Sequence, residues 1–353
     1  MSLEQLITGA WTRNSRWLLL LLPFTWIFAS LSNLRRCYLQ RRYQGQPYTA
    51  PVVIVGNISV GGSGKTPLII ALVAALKQRG YSPGVVSRGY SGNAAQYPLS
   101  VTAATAVSES GDEPLLIAML ADCPVVVDAN RRAAVDYLLD HHQCNLVLSD
   151  DGLQHYALHR DIELVVVDGQ RGLGNGRQLP SGPLREKPQR LEQADLVVIN
   201  GGRPDQSLKG VELGSGCVQQ MSIKPTQFRH LQSGRTEAIE SWLESQASAD
   251  NRVHAVAAIG NPQRFADTLT AIGLAPTLHS FDDHQTLVLE DLSYGDKLPV
   301  IVTAKDAVKL RALPLENQAA VSQNIWVLDI EAVIDSTFVD KLMVKLKALK
   351  TPS

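Results

Sequence analysis

The sequence predicts a doubly wound α/β fold, and two observations carry this prediction. From residue 51 onward, short runs that are apolar at almost every position alternate with stretches of helical periodicity. Such runs are typical of parallel strands buried on both faces, and strand–helix alternation builds a mostly parallel sheet with helices on both faces. The chain has 353 residues, of which 45% are hydrophobic and 19% charged, and this composition excludes a disordered protein.

The predicted elements follow one another closely along the first part of the chain. Strands are expected at 52–55, 84–87, 125–128, 146–149, 164–167 and 196–199, with helices at 67–79, 113–120 and 131–141. Residues 201–251 are more polar and lack clear periodicity, which favours a domain junction. A second α/β pattern follows, with strands at 253–259, 299–303 and 325–329 and helices at 263–271 and 337–349. We therefore expect an arm over 1–45, a core over 46–215 and a smaller α/β domain over 216–353.

The first 45 residues differ from the rest in charge and hydropathy. They contain six arginines and a single acid, and residues 17–34 form an uncharged, mostly apolar run that includes Pro23. A helix of that length reaches about 27 Å, slightly less than a bilayer core. We favour a helix that dips into one leaflet, with arginines on anionic lipid. A spanning helix, a signal peptide and a buried core helix are the alternatives.

Net charge and cysteine spacing exclude two other classes of protein. The formal net charge is −1, so no overall basic field points to nucleic acid. The four cysteines are far apart and form no Cys-x-x-Cys pair. A disulfide scaffold or a zinc site built on paired cysteines is therefore not expected, and free thiols in a reducing cytosol are.

A glycine-rich segment between the first strand and the first core helix predicts a phosphate-binding loop. Its backbone N–H groups and the following helix N-terminus suit a triphosphate, while Lys65 would reach the β- and γ-phosphates and Thr66 would hold Mg²⁺. Ser59 stands where the usual pattern has its first glycine. The alternative is a glycine-rich turn with a surface lysine, but the strand before and the helix after favour ATP binding. The predicted loop comprises Ser59, Val60, Gly61, Gly62, Ser63, Gly64, Lys65 and Thr66.

Two acids follow the apolar strand predicted at 146–149. Asp150 and Asp151 stand where a carboxylate orients Mg²⁺ in phosphate-loop enzymes. Both are candidate metal ligands, because the sequence does not distinguish which one faces the metal. Together with the glycine-rich segment, they predict an enzyme that uses a nucleoside triphosphate.

Several further motifs lie between the predicted elements, and together they resemble those of the tetraacyldisaccharide 4′-kinase family. The resemblance extends from the apolar arm to about Lys309. The motifs are Gly-Gly-Ser-Gly-Lys-Thr-Pro (61–67), Ser-Arg-Gly-Tyr (87–90), Gly-Asp-Glu-Pro (111–114), Asp-Asp-Gly-Leu-Gln-His (150–155), Gly-Asn-Gly-Arg (174–177), Pro-Ser-Gly-Pro-Leu-Arg (180–185) and Thr-Ala-Lys-Asp (303–306).

This resemblance implies a lipid kinase of lipid A biosynthesis. The enzyme would transfer the γ-phosphoryl group of ATP to the 4′-hydroxyl of an acylated glucosamine disaccharide 1-phosphate, with a cleft between two domains that closes on the nucleotide. The arm would then hold the protein at the cytoplasmic face of the bacterial inner membrane, where the acyl chains of the acceptor remain.

Asp112 is the candidate general base for the acceptor hydroxyl, and Lys65 the candidate clamp on the γ-phosphate. The resemblance implies that His284, in the Phe-Asp-Asp-His segment, forms a dyad with Asp112. The alternatives are a helix-capping role for Asp112 and a place on a surface loop for His284. Glu113 would reach the metal directly or through water, or simply favour the helix N-terminus.

Six residues are candidates for binding the anionic sugar-phosphate. For Arg131 the alternatives are its neighbour Arg132 in the same role or a surface charge at the start of a helix. For His155 the alternative is helix capping. For the loop arginines, Arg171 and Arg177, it is a solvent-exposed charge without a ligand. The candidates are Arg88, Tyr90, Arg131, His155, Arg171 and Arg177.

Two other functions compete with the lipid kinase. A membrane-recruited nucleotide switch or partitioning ATPase would explain the phosphate loop and the arm, but not Asp112 or the loop over 171–185. A soluble kinase for a small metabolite would leave the apolar arm unexplained. An assay with ATP, Mg²⁺ and the disaccharide lipid separates the three.

Overall fold

The computed structural model describes residues 3–43, 47–203, 206, 208–214, 216–245, 250–283, 285, 287–311 and 324–349. Within these ranges, thirteen strands form one sheet and ten α-helices surround it. The strands are β1 (Val52–Gly56), β2 (Pro83–Ser87), β3 (Leu99–Val101), β4 (Val125–Val127), β5 (Leu146–Asp150), β6 (Ile162–Asp168), β7 (Leu196–Asn200), β8 (Val218–His230), β9 (Thr236–Ala238), β10 (Arg252–Ala257), β11 (Ala275–Ser280), β12 (Val300–Thr303) and β13 (Ile325–Ile334).

The helices alternate with the strands after an N-terminal helical arm. Three short 3₁₀ helices, Arg16–Leu21, Pro188–Gln193 and Leu289–Leu292, complete the described secondary structure. The α-helices are α1 (Leu3–Thr12), α2 (Leu22–Tyr43), α3 (Lys65–Gln78), α4 (Val107–Ser110), α5 (Asp112–Leu120), α6 (Arg131–His141), α7 (Ile239–Ser245), α8 (Pro262–Ala271), α9 (Ala304–Arg311) and α10 (Ser336–Leu349).

The sheet is mostly parallel, and it confirms the predicted fold class. Its strand order is β11-β10-β12-β13-β8-β7-β6-β1-β5-β2-β4-β3, with β9 paired to β8. Antiparallel pairing in the described sheet is confined to β13 with β8, β8 with β9 and β3 with β4. We call β1–β7 with their helices the first half, and β8–β13 with theirs the second half. The two halves join where β8 pairs with β7 and β13.

Helices cover both faces of the first half, as the doubly wound prediction requires. On one face, Leu72 of α3, Ile117 of α5 and Leu342 of α10 belong to a single fully buried cluster. On the opposite face, Val135 and Leu138 of α6 pack against the other side chains of the same strands. Because β1 is buried at every position, its side chains contribute to both layers.

The predicted elements of the core lie within a few residues of those observed, but the segment at 201–251 differs from the prediction. It contains β8, the longest of the described strands, whose side chains alternate between buried and exposed positions. Its exposed positions carry polar residues, and Pro225 sits opposite Ile330 beside an irregularity in the β8–β13 register. A half-exposed strand that contains proline gives no continuous apolar run, and so the sequence pattern missed it.

The arm lies against the first half and leaves a wide apolar surface exposed. The hydroxyl groups of Thr25 and Ser181 lie 2.6 Å apart, and the Trp11 indole N–H donates to the Pro180 carbonyl at 3.0 Å. Pro23 lies in the first turn of α2, where a missing N–H is tolerated. Among the arm residues whose side chains the structure describes, nine large apolar ones are exposed: Trp17, Leu19, Leu20, Phe24, Trp26, Ile27, Leu31, Leu34 and Tyr38.

One segment of the described chain is long and apolar enough to cross a membrane. It covers Arg16–Tyr43, 28 residues with a mean hydropathy of 1.6 over its most apolar window, of which 11% is buried. Its length and composition suit both a spanning helix and a helix that lies in the membrane interface. Its low burial does argue against the predicted alternative of a buried core helix.

Candidate active site

The predicted phosphate loop connects β1 to α3. Gly61 and Gly64 have φ angles of +87° and +95°, and a side chain at Gly64 would clash with the amide of Asn200. Asn200 Nδ2 also donates to the Ser63 carbonyl at 2.9 Å, which fixes the turn from behind. Ser59 pairs with Leu184 in a short antiparallel bridge, a conformation that needs no glycine. The departure from the usual glycine pattern therefore has a structural reason.

Lys65 is the first residue of α3, and its ammonium nitrogen lies 3.4 Å from Asp151 Oδ1. Arg185 Nη1 lies 3.2 Å from the other oxygen of the same carboxylate. Burial alone would raise the pKa of Asp151, but these two cations outweigh it and hold the pKa well below its usual value. Asp151 is therefore a charged acceptor shared by two cations.

Asp150 ends β5 and is almost completely buried. Its Oδ2 accepts a hydrogen bond from the Ser87 hydroxyl at 3.0 Å, while its Oδ1 has no hydrogen-bond partner among the described residues. Burial, and next the negative charge of Glu113, raise the pKa of Asp150 to about 7. An unpartnered buried carboxylate oxygen beside the phosphate loop suits a divalent cation, although the described residues contain no cluster of three or more metal-ligating side chains.

Asp112 begins α5 and is also buried. The N-cap of α5 is Gly111, without a side-chain capping bond, so the helix-capping alternative for Asp112 is not met. Asp112 Oδ1 accepts from the adjacent Glu113 amide at 2.9 Å, and its Oδ2 lies 3.7 Å from Lys305 Nζ and 3.8 Å from Lys309 Nζ. Asp112 and Glu113 both line the same cavity as the phosphate loop. The predicted dyad partner, His284, lies outside the described residues.

Four of the predicted acceptor-binding residues line this cavity beside Asp150 and Asp151. Arg88 and Tyr90 are exposed, directly after β2. Arg131 is buried, and its guanidinium donates to the Asp150 carbonyl at 2.9 Å. Burial, followed by the positive charges of Arg131 and Arg88, lowers the pKa of His155 to about 3, so this histidine is neutral at physiological pH.

The two loop arginines lie elsewhere. The Arg171 guanidinium donates to the Gly62 carbonyl of the phosphate loop and, at 3.1 Å, to the Gly260 carbonyl of the second half. Its Nε lies 3.4 Å from Asp168. Arg177 is not among the described residues that line the cavity, and its amide donates to Asn175 at 3.1 Å. The structure therefore places Arg171 against the phosphate-loop backbone, but neither arginine is among the described residues that line the cavity.

The cavity has a volume of about 1270 Å³ and lies between the two halves of the sheet. The first half contributes the phosphate loop and the acids, and the second half contributes Gly260, Asp283 and Lys305 among others. Beyond the polar part, its walls become apolar along α3 and β13, with Ala71 and Ile330 among the lining residues. This volume exceeds the roughly 300–1,000 Å³ that is typical of a pocket for one small ligand.

A family model described as Tetraacyldisaccharide-1-P 4'-kinase matches residues 17–347 of the chain. The chain belongs to this family. A curated relative from Hahella chejuensis, named Tetraacyldisaccharide 4'-kinase, is 40% identical over 351 residues, which is 98% of this chain and 97% of that protein. A relative of the same name from Stutzerimonas stutzeri is 43% identical over 317 residues, covering 88% of this chain and 90% of that one.

A solved structure of this kinase family has the same fold. The crystal structure of the "apo" form of LpxK from Aquifex aeolicus in complex with ATP matches this chain with a TM-score of 0.71 and 25% sequence identity. The match covers 92% of this chain and 97% of that one. The predicted resemblance to the 4′-kinase family is confirmed.

Several cavity residues of this 4′-kinase family member were not assigned a role from sequence. Arg185 and Lys305 lie inside the quoted motifs, yet nothing in those motifs indicated which carboxylates they contact. Asn200 follows an apolar strand directly, a signal of the kind that identified Asp150. Arg264 donates to Asn200 Oδ1 at 2.7 Å from α8, and no local pattern marked it.

Proposed function

We propose that this chain transfers the γ-phosphoryl group of ATP to the 4′-hydroxyl of a tetraacylated glucosamine disaccharide 1-phosphate. One observation carries the proposal: the phosphate loop, the buried Asp112 and a wall with Arg88 and His155 face one cavity next to an apolar arm. Family membership supports it, since the curated relatives are named for this activity and the Aquifex aeolicus relative was solved with ATP.

The nucleotide end of the cavity is the phosphate loop. The α3 N-terminus and the loop amides take the phosphate oxygens, and Lys65 leaves Asp151 to contact the β- and γ-phosphates. Thr66 and the free oxygen of Asp150 would hold Mg²⁺, which supplies charge neutralisation on the transferred group when bound. Asp151 and Glu113 already have cationic partners and would act on the metal through water.

The acceptor hydroxyl is placed at Asp112. The oxygen of the acceptor hydroxyl attacks the γ-phosphorus, and the bond from that phosphorus to the β–γ bridging oxygen breaks. The hydroxyl proton passes to the Asp112–His284 dyad. The product carries a phosphate monoester at its 4′-oxygen, and ADP is the leaving group that takes the electron pair of the broken bond. Positioning and charge neutralisation supply most of the acceleration in a reaction of this type.

The sugar-phosphate of the acceptor is assigned to the arginine-lined wall. Arg88 and Tyr90 are exposed in the cavity wall and accessible to the sugar-phosphate, whereas the buried Arg131 acts indirectly, through its bond to the Asp150 carbonyl at the end of β5. Neutral His155 suits a hydrogen bond to a sugar hydroxyl better than an ion pair. Arg171 is assigned to the phosphate loop, because it donates to the Gly62 carbonyl.

The arm is assigned to the cytoplasmic face of the inner membrane. Its exposed apolar side chains and flanking arginines suit a helix at the lipid interface. Arg35 also donates to the Gln154 carbonyl at 3.3 Å, so the arm lies directly beside the Asp-Asp-Gly-Leu-Gln-His motif. Acyl chains held in the bilayer would thus leave the sugar close to the cavity. We also propose that the core at 46–215 and the domain at 216–353 close on the nucleotide.

The test is phosphorylation of detergent-dispersed tetraacyldisaccharide 1-phosphate by the purified full chain with ATP and Mg²⁺. A water-soluble sugar serves as the comparison acceptor, and product analysis locates the new phosphate. We expect phosphate on the 4′-oxygen of the lipid alone. ATP hydrolysis without a phosphorylated lipid would favour a nucleotide switch, and equal use of the soluble sugar would favour a small-metabolite kinase.

A further inference from the structure

The Lys305 ammonium group joins the two halves of the protein beside Asp112. Lys305 lies in the first turn of α9, in the second half, and α9 packs against α5 of the first half. Its Nζ lies 3.1 Å from Glu113 Oε1 and 3.7 Å from Asp112 Oδ2, both on α5. Asp283, also of the second half, lies 3.4 Å from the same nitrogen. One partly buried cation thus links acids from both halves.

The Thr-Ala-Lys-Asp motif accounts for the direction of the Lys305 side chain. The Thr303 hydroxyl donates to Asp306 Oδ2 at 2.7 Å, and the Asp306 amide donates back to the Thr303 hydroxyl oxygen at 3.1 Å. The Ala258 amide donates to the same Asp306 oxygen at 3.1 Å. These reciprocal bonds fix the first turn of α9 on β10 and β12, so Lys305 extends from a rigid base.

The neighbouring Lys309 is held differently. Its Nζ contacts Asp306 Oδ1 at 3.2 Å, the Ala258 carbonyl at 3.3 Å and the Gln285 carbonyl at 3.4 Å, all within the second half. Its contact with Asp112, at 3.8 Å, is its longest. Lys309 is therefore bonded mainly within its own half, whereas the shortest contact of Lys305 crosses to the first half.

We propose that Lys305 is a positioning residue, which holds the Asp112 carboxylate in register with the phosphate loop when the two halves come together. The inference rests on the proposed function, because it assigns Lys305 to the alignment of the base in that reaction. Lys305 does not touch the reacting atoms. It acts through Asp112 and Glu113, so its loss is expected to impair turnover far more than nucleotide binding.

The test compares Lys305→Met and Lys305→Arg with the full-length protein in the lipid phosphorylation assay. We expect Lys305→Met to lower kcat by about 100-fold, the cost of misplacing a catalytic group by about 1 Å, with little change in the KM for ATP. Lys305→Arg should restore most of the lost kcat, because it keeps a cation of similar reach. Lys77→Met is the matched control, since Lys77 forms a surface ion pair with Asp122 outside the cavity.

A double-mutant cycle with Asp112→Asn separates positioning from a merely structural role. If Lys305 acts through Asp112, Lys305→Met should change the residual kcat of Asp112→Asn by less than about twofold. If Lys305→Met lowers kcat in the Asp112→Asn background as much as it does in the wild type, the proposal is overturned. It is also overturned if the kcat of Lys305→Arg is as low as that of Lys305→Met. Thermal unfolding of each variant identifies any loss of fold. If Lys305→Met does not fold, the kcat of Lys305→Arg decides the test. A wild-type protein without lipid kinase activity would instead overturn the proposed function.

Discussion

The ammonium group of Lys65 lies 3.4 Å from Oδ1 of Asp151, so the phosphate-loop lysine is paired with an acid from the end of β5. Arg185 contacts the second oxygen of that acid at 3.2 Å. A triphosphate therefore competes with Asp151 for Lys65, and Arg185 is in place to keep Asp151 paired when Lys65 turns to phosphate. The exchange of partners keeps the partly buried carboxylate of Asp151 paired with a cation.

Replacing Lys65 tests this exchange. We expect Lys65→Ala to lower kcat about 100- to 1000-fold, because the transferred phosphoryl group loses a preorganised positive charge. Steady-state phosphorylation of the disaccharide lipid measures the effect, with Lys77→Ala on the remote end of α3 as the control. Turnover close to that of the wild type would contradict the assignment of the phosphate loop.

Asp112 is predicted to act in the chemical step and not in nucleotide binding. Asp112→Asn keeps the side-chain oxygen that accepts from the Glu113 amide but removes the proton acceptor, so we expect kcat to fall while the dissociation constant for ATP changes little. Calorimetric titration with a non-hydrolysable ATP analogue measures the binding. A second substitution, His284→Ala, should add little to the loss if the two residues form a dyad. A defect restricted to ATP affinity would remove Asp112 as the base.

ATP binding is predicted to require that the backbone at Gly260 lies close to the backbone of the phosphate loop. A Cβ atom at Gly260 would clash with the backbone nitrogen of Gly62, so Gly260→Ala should force the second half away from the loop. We expect weaker ATP binding and lower kcat together, since Arg171 would also lose one of its two carbonyl partners. Gly9→Ala is the control, because a Cβ atom there meets nothing within 4 Å. Unchanged kinetics would show that the halves separate without cost.

The neutral His155 predicts a pH dependence of stability. Its pKa is lowered to about 3 in the folded protein, below the ordinary value of 6.5 in the unfolded chain, so the unfolded state binds more protons between these values. The contribution of His155 is therefore fully present above pH 6.5 and is lost by about 1.4 kcal/mol per pH unit as the pH falls from 6.5 toward 3. Urea unfolding of the wild type and His155→Gln at pH 7 and pH 5 measures the difference. An equal loss of stability in both proteins would contradict the prediction.

The arm is predicted to bind membranes through its exposed apolar side chains. Replacing Leu20, Phe24 and Trp26 with serine should sharply lower the fraction bound to anionic vesicles, because burial of each large side chain contributes about 2 kcal/mol. Co-sedimentation measures binding, and Gln40→Ser on the same helix serves as the control. A vesicle-bound fraction equal to that of the wild type would contradict membrane docking by this surface. ATP binding should be unaffected in all these variants.

Much of the first half could be predicted because its signals are local. The strand at 52–55 is apolar at every position, and the turn at 61–64 needs glycines for positive φ angles, so both are visible within a few residues. The sequence also indicated that Asp150 or Asp151 would face the metal, but not which. Only the packed strand end shows that Asp151 is paired with Lys65 and Arg185, while Asp150 keeps one oxygen without a hydrogen-bond partner in the described part of the chain.

By itself, the sequence determined the fold class, the phosphate loop, the apolar arm and the family. These depend on periodicity, on glycine and on contiguous motifs, which neighbouring residues specify together. The tertiary structure alone decided the pairing of β8 with β13, the place of Arg171 on the phosphate loop and the contact of Lys305 with Glu113. The last two residues are 192 positions apart, and no local preference encodes which distant charge a lysine will meet once two halves of a sheet pack together.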